Sequence, residues 1–183
     1  MAYGRLGSSD GFDCVWAPSV PLVGPPDALV LLGALGPVTS RIELGSYVVP
    51  TFPRHPVVLA QQALTVQQSS SNRLALGIGL SHKPVIETGF GLSFSHPVRH
   101  LREYLTVLTP LLAGRAVQMS GQHYRVQQEP SLPPDVKPPP VLVAALGRRR
   151  CASPANWPTA QPWVRSHGPS LTCSRPVTAP PIG

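Results

Sequence analysis

The stretch RIELGSYVVPTFPRHPVVLAQQALTVQQSSSNRLALGIGL (41–80) holds the pattern that decides the fold. Its first ten residues are rich in β-branched side chains and end at Pro50, which predicts a strand. Pro56 opens a run whose apolar residues recur at three and four, which predicts a helix over 57–68. RLALGIGL then predicts a second strand that ends in glycines. Strand, helix and strand in this order indicate parallel pairing with a right-handed crossover.

The same alternation continues on the amino-terminal side. FDCVWA (12–17) predicts a short buried strand, in which Cys14 is expected to be a buried small apolar residue. Asp27 is placed to cap a helix through ALVLLGAL, which Gly36 and Pro37 end.

On the carboxyl-terminal side, Pro97 opens a third helix that Pro110 is predicted to kink or divide. GQHYRV (121–126) predicts a small hairpin strand, and VLVAALG (141–147) a fourth strand of the sheet. The four strands and their helices indicate an α/β protein with a parallel sheet. Ligands of such sheets bind at the carboxyl ends of the strands, so function is sought in the loops there.

Composition excludes several classes of function. The net charge is +7, but up to Gly147 ten Lys and Arg stand against eight acids, so this part carries only +2. The other five positive charges lie in the tail without interleaved aromatic residues, which disfavours nucleic acid as a partner. No apolar stretch is long enough to span a bilayer, and MAYGRLGSSD lacks the apolar core of a signal peptide. Scattered histidines and cysteines predict no metal site, and a cytoplasmic location is expected.

Three strand ends carry candidate ligand chemistry, each with an ordinary alternative. VAALG (143–147) places small residues where a helix should begin, which suits a phosphate or is a plain tight turn. GIGLSHK (77–83) has alternate glycines that let a planar ligand or another backbone segment approach closely. His82 in this loop is a candidate for an anionic or ring substituent, or is simply solvated. In GSYVVP (45–50) a glycine interrupts an apolar strand, which indicates a bulge or ordinary sheet irregularity.

Taken together, GFDCVWAP, TSRIELG…VVPTFPRHP…AQQALT, NRLALGIG, FSHPVRHLREYLTVLTPLLAG and GQHYRV resemble the bacterial luciferase-like superfamily. They are most similar to its coenzyme F420 (deazaflavin)-dependent oxidoreductases. The resemblance covers residues 10–147 and implies a partial (β/α)8 TIM barrel, about strands 2 to 5. It also implies hydride transfer to or from a small organic substrate, with FMN-dependent oxygenation as the alternative.

The resemblance implies a cofactor site at three strand ends. The Tyr47–Val48 bond matches a non-prolyl cis peptide that lies behind the cofactor ring in the family. Three segments are therefore expected to bind F420 or FMN: Ser46, Tyr47 and Val48; Gly79, Leu80, Ser81 and His82; and, around the phosphate, Ala144, Ala145, Leu146 and Gly147.

The chain also departs from the family pattern. Members that oxidise sugar phosphates carry an Asp-His pair after the second strand, where this chain has Ser19 and Val20. The acid of their fourth-strand loop falls at His82. These differences disfavour sugar-phosphate oxidation. MAYGRLGSS (1–9) is too short for the family's first strand and helix, so an irregular N-terminus on a truncated barrel is expected.

The last segment, 148–183, has seven prolines, five arginines and no acid, and is predicted to be a disordered tail. In a neighbouring reading frame, codons for Arg150 to Gln161 can encode MRLAGELADGT, which resembles the family helix expected there. A frameshift near Gly147 is therefore a hypothesis, which the nucleotide sequence decides. A barrel without its other strands would expose sheet edges, bind cofactor weakly and aggregate. An inactive partial barrel is thus a third alternative.

Overall fold

The structure, a computed structural model, describes residues 12–19, 26–144 and the backbone of 160–163. The expectations for the N-terminus (1–9), and for most of the tail (148–183), fall outside these residues. Within them, the predicted α/β architecture with a parallel sheet is confirmed.

The main sheet is parallel, and its strand order follows the chain. The strands are β1 (Cys14–Pro18), β2 (Glu43–Tyr47), β3 (Val49–Pro50), β4 (Leu74–Gly79), β7 (Val141–Ala144) and β8 (Ala160–Trp163). They lie in the order β1-β2-β4-β7-β8, and β3 pairs with β4 beside β2. All carboxyl ends therefore meet at one edge of the sheet, where ligand chemistry is expected.

Three helices cover one face of this sheet, and each begins where the sequence predicts. Helix α1 (Ala28–Leu35) starts at Asp27, whose carboxylate accepts from the backbone N–H groups of Leu29 and Val30. Helices α2 (Pro56–Ser69) and α3 (Pro97–Leu112) each have proline in the first turn, where a missing N–H costs nothing. A short π-helical segment (Val85–Gly89), which the sequence did not predict, lies between β4 and α3.

Two predicted details of the later elements are wrong. Helix α3 is not divided at Pro110 but continues to Leu112, because the proline lies in the last turn and removes a single backbone hydrogen bond. The hairpin consists of β5 (Val117–Ser120) and β6 (Arg125–Gln128), so most of GQHYRV (121–126) forms the turn. Gly121 donates to the carbonyl of Tyr124 and closes that turn.

The two faces of the sheet differ in side-chain size. Leu74, Leu76 and Ile78 of β4 are buried in the core that the helices form. Because side chains alternate along a strand, Ala75, Gly77 and Gly79 lie on the opposite face. A parallel sheet usually buries large residues on both faces, whereas β4 has only small residues on this second face.

On the carboxyl-terminal side, the backbone of Ala160–Trp163 extends the sheet by one strand. These residues form β8, parallel to β7, with Val141 opposite Ala160 and Ala144 opposite Trp163. The edge of β7 offers unpaired backbone groups that an extended segment can complete regardless of its side chains. Cys14 differs from the prediction, because it is only partly buried on edge strand β1. Among the described residues, no helix is long and apolar enough to cross a membrane.

Candidate functional site

The structure brings three of the predicted segments to the carboxyl edge of the sheet. Val49, just after the Ser46–Val48 segment, pairs with Ile78, and Gly79 pairs with Ala144. The predicted cis peptide between Tyr47 and Val48 is present. The predicted phosphate-binding residues Ala145, Leu146 and Gly147 lie outside the described residues.

Ser46 joins β2 to β4 through its side chain. Its hydroxyl donates to the carbonyl of Gly77 at 3.0 Å and accepts from the N–H of the same residue at 2.9 Å. The side chain is completely buried. Ser46 therefore replaces a backbone partner where the two strands part, which explains why a polar residue interrupts this apolar strand.

The glycines of β4 serve contacts within the chain. A Cβ at position 77 would overlap the carbonyl oxygen of Ser46, and a Cβ at position 79 would lie 2.9 Å from a methyl of Val48. At Gly77 the predicted close approach of another backbone segment is observed, whereas at Gly79 the approaching group is the Val48 side chain. The Val48 side chain lies over Gly79 and next to Ala144, where it forms an apolar floor at the sheet edge.

One layer further from this edge, an aromatic ring fills the space beside Gly45. A Cβ at position 45 would overlap ring atoms of Trp16, which is the partner of Gly45 across β1 and β2. The indole therefore packs flat on the glycine backbone. The indole thus fills the space beside Gly45 on the second face of the sheet. A ligand is therefore expected at the carboxyl ends of the strands.

The residues after β4 are presented in different ways. The Leu80 side chain is buried in the core at 3% exposure, so only its backbone can face a ligand. Ser81 adopts a positive φ of 63°, and its side chain is partly exposed. His82 is exposed. Tyr47, on the neighbouring strand end, exposes 37% of its surface. Ser81 and His82 thus present a hydroxyl and an imidazole near this edge, and the Tyr47 side chain is partly exposed there.

A cluster that the sequence did not indicate lies beside this edge. Thr51 donates its backbone N–H to the carbonyl of Gly79 at 2.9 Å, and its hydroxyl lies 3.0 Å from Nε2 of His100. The imidazole stacks on Phe52, with ring centroids 3.8 Å apart and planes 2° apart. The Tyr124 hydroxyl lies 3.4 Å from Nδ1 of the same imidazole. We call Thr51, Phe52, His100 and Tyr124 the His100 cluster.

Burial sets the ionisation of the central histidine. His100 is only 3% exposed. Burial, helped by nearby His123 and opposed by Glu103, lowers the pKa of His100 from 6.5 to about 4. The imidazole is therefore neutral near pH 7. Its two nitrogens face hydroxyl groups, which can donate or accept, so either neutral tautomer is satisfied.

Glu103 fixes the hairpin turn against α3. Its carboxylate accepts from the backbone N–H groups of Gln122, His123 and Tyr124 at 2.8–3.2 Å. Burial alone would raise the pKa of Glu103, but these backbone hydrogen bonds hold it below its ordinary value of 4.5. A Cβ at position 121 would overlap this carboxylate, so a glycine is required there. The clamp brings Tyr124 and His123 to His100.

Comparison with known proteins defines the family. The sequence pattern of the luciferase-like monooxygenase family matches residues 1–156. The chain belongs to this family. The match extends beyond the 10–147 range of the predicted resemblance and includes every candidate site residue.

Among curated relatives, the F420-dependent glucose-6-phosphate dehydrogenase of Microbacterium testaceum is 34% identical over 126 residues, 67% of this chain and 37% of the relative. Two solved structures share the fold, each with a TM-score of 0.67. The F420-dependent tetrahydromethanopterin reductase of Methanopyrus kandleri is 20% identical, with 82% of this chain and 47% of that chain covered. The 3,6-diketocamphane monooxygenase of Pseudomonas putida, solved with FMN, is 18% identical, with 78% and 44% covered. The fold is therefore a partial TIM barrel, and the chain spans less than half the length of these proteins.

Proposed function

We propose that this chain carries the ring-binding edge of an F420-dependent oxidoreductase that transfers a hydride to or from a small organic substrate. The observation that carries the proposal is the floor that Val48 forms over Gly79, beside Ala144, at the carboxyl edge of the sheet. The 34% identity to an F420-dependent enzyme supports the choice of cofactor.

The residues at this edge fit a planar, partly polar ring system. Val48 supplies an apolar face, while Tyr47, Ser81 and His82 supply groups that can reach polar ring substituents. Ala145, Leu146 and Gly147 would hold the phosphate through backbone N–H groups. When bound, the deazaflavin supplies the hydride chemistry, and the chain's task is to bind the ring, orient one face and exclude water from it.

The substrate of this site is proposed to differ from a sugar phosphate. Ser19 and Val20 stand where sugar-phosphate-oxidising members have an Asp-His pair, and His82 stands where they have an acid.

FMN-dependent oxygenation is the alternative within the same family. The fold is shared with an FMN-bound monooxygenase, and a flat apolar floor accepts a flavin as well as a deazaflavin. The two cofactors differ in ring electronics and in their tails, and the phosphate segment that would distinguish them begins at Ala145. The choice therefore needs a binding measurement.

We would titrate the full chain with F420 and, separately, with FMN, and follow the fluorescence of each cofactor. We expect F420 to bind more tightly. The variant Val48→Glu places a charge on the apolar floor and should weaken F420 binding at least tenfold, because the buried charge and the ring compete for one surface. Val58→Glu is the matched control, since Val58 lies 44% exposed on α2, and it should bind like the parent.

Tighter binding of FMN would replace the proposal by the monooxygenase alternative. If neither cofactor binds while the protein melts cooperatively, the inactive partial barrel is the better description. Equal binding by Val48→Glu and the parent would remove the floor from the site.

We also propose that the codons from about Gly147 onward are read in a shifted frame. The proposal rests on the composition of the tail and on the helix that the neighbouring frame can encode. The nucleotide sequence for Leu146 to Trp163 decides it: a neighbouring frame that encodes no family helix would end the idea.

A further inference from the structure

The loop between β4 and α3 begins with the candidate residues Leu80, Ser81 and His82. Both ends of this loop contact the dipeptide Thr51–Phe52. At the start, the Thr51 N–H donates to the Gly79 carbonyl at 2.9 Å. At the far end, Phe94 stacks on Phe52 with ring centroids 4.8 Å apart. The dipeptide 51–52 is therefore the common anchor of the candidate loop.

His100 holds both residues of this anchor. Its Nε2 lies 3.0 Å from the Thr51 hydroxyl, and its ring lies parallel to Phe52 with ring centroids 3.8 Å apart. Phe52 therefore stacks on both Phe94 and His100 and so joins the loop to helix α3. Stacked aromatic pairs and buried hydrogen bonds each contribute to local rigidity beyond simple burial.

Residues of the hairpin turn between β5 and β6 orient His100. Tyr124 reaches Nδ1, and the His123 ring lies edge-on at 5.6 Å. The ionisable groups around the imidazole are His123 and Tyr124 from the turn, and Glu103 and Tyr104 from its own helix. From the segment that carries Thr51 and Phe52, His55 packs edge-on against Tyr124, and the Arg54 charge acts on Tyr104. No grouping of metal ligands occurs among the described residues, so metal binding does not explain the cluster.

We infer that His100 is a positioning residue for the proposed ligand edge: it fixes Thr51 and Phe52, which anchor both ends of the loop that carries Ser81 and His82. His100 acts through these two residues and does not touch the ligand floor itself. In its neutral state it completes the anchor. A proton on the imidazole places a charge between Phe52 and the core, which loosens the anchor and the candidate loop.

We would test the inference with two independent experiments, one on hydrogen exchange and one on cofactor binding. Only the binding experiment rests on the proposed function. The first uses no cofactor and measures amide hydrogen exchange at position 51, whose N–H reports the link to Gly79. We expect Thr51→Val, which keeps the shape and removes the hydroxyl, to exchange about fivefold faster than the parent. Thr51→Ser keeps the hydroxyl and should exchange like the parent.

The second experiment measures the affinity for F420 and for FMN between pH 4.5 and pH 8. The parent should lose affinity as the pH falls toward the His100 pKa of about 4, in step with a lower protection of the amide at position 51 after correction for the intrinsic slowing of exchange in acid. His100→Gln keeps a donor near Thr51 but cannot take up the proton, so its affinity should stay constant with pH. His96→Asn is the matched control, because His96 is exposed on the same helix and makes no side-chain cap; it should keep the pH profile of the parent.

Parent-like exchange in Thr51→Val, or a parent-like pH profile in His100→Gln, would overturn the inference. If His100→Gln does not fold, the Thr51→Val and Thr51→Ser pair still decides. If the parent binds neither cofactor, the proposed function fails, while the exchange experiment continues to test the role of His100.

Discussion

The two ends of the parallel sheet are built in different ways. At the amino-terminal edge, Arg73 donates four hydrogen bonds of 2.7–2.9 Å to Gly36, Thr39 and Ile42, and only its Nε lacks a partner among the described residues. At the carboxyl-terminal edge, His100 has two hydroxyl contacts, at 3.0 and 3.4 Å, and the buried hydroxyl of Tyr104 has no partner there. In barrel enzymes the first edge serves stability and the second serves chemistry. We expect the same division in the partial barrel.

Removal of Arg73 should have the largest effect on stability. Arg73→Ala leaves the carbonyls of Gly36, Thr39 and Ile42 without their donor, and each such buried group costs about 1–3 kcal/mol. We expect a loss of about 4 kcal/mol in the free energy of urea unfolding, with unchanged cofactor affinity of the folded protein.

Arg41→Ala is the control for this variant, because Arg41 is exposed at the start of the same region. A loss of cofactor affinity in folded Arg73→Ala that Arg41→Ala does not share would break the division between the two edges.

Acid should lower the free energy of unfolding through His100, at the carboxyl-terminal edge. The folded-state pKa of His100 is about 4 against an ordinary 6.5, so the unfolded chain takes up the proton first. Stability is complete above about pH 6.5 and falls as the pH drops toward 4, by about 3 kcal/mol at most. Urea unfolding across this range measures the loss, which His100→Gln should remove.

Glu103 contributes in a lower window. Its folded pKa lies below 4.5, so its stabilisation is present above pH 4.5 and is lost below it as the pH falls through the folded value. A loss that begins only below pH 4.5 would therefore assign the acid sensitivity to Glu103 and not to His100.

The smallest effect concerns Tyr104. Its side chain is fully buried, and its hydroxyl has no hydrogen-bond partner among the described residues. Tyr104→Phe removes the uncompensated polar group and should stabilise the protein by about 1 kcal/mol. Thermal unfolding measures it, and Tyr124→Phe is the comparison, since Tyr124 contacts His100. Destabilisation by Tyr104→Phe would show that the hydroxyl is satisfied and that the carboxyl-terminal edge is as completely bonded as the other.

Local sequence signals were sufficient for most of the fold. Asp27, Pro56 and Pro97 act within a few residues, so their helix starts could be predicted from the chain alone. The resemblance also located the Tyr47–Val48 cis peptide correctly. The pairing of β8 with β7 was not predictable, because a free strand edge can pair with an extended segment without a local sequence signal.

The His100 cluster escaped sequence reasoning for a different reason. In helix α3 the apolar residues recur at three and four and so indicate one face, formed by Leu101, Tyr104, Leu105 and Leu108. His100 and Glu103 lie at the margin of that face. Their partners are 49 and about 20 residues away in sequence, which a helical pattern cannot show. The only available signal was polar residues bordering an otherwise apolar helix face.

The Glu103 clamp has a consequence for the order of folding. Its three hydrogen bonds join residues only 19–21 positions apart, so helix α3 and the hairpin close a short loop. The pairing of β4 with β7 instead joins residues 65 positions apart, from Leu76 to Val141. During synthesis, α3 and its hairpin are complete once Gln128 has left the ribosome, before β7 exists. We therefore expect this unit to form first and to offer its apolar face as the surface on which the later strand of the sheet is added.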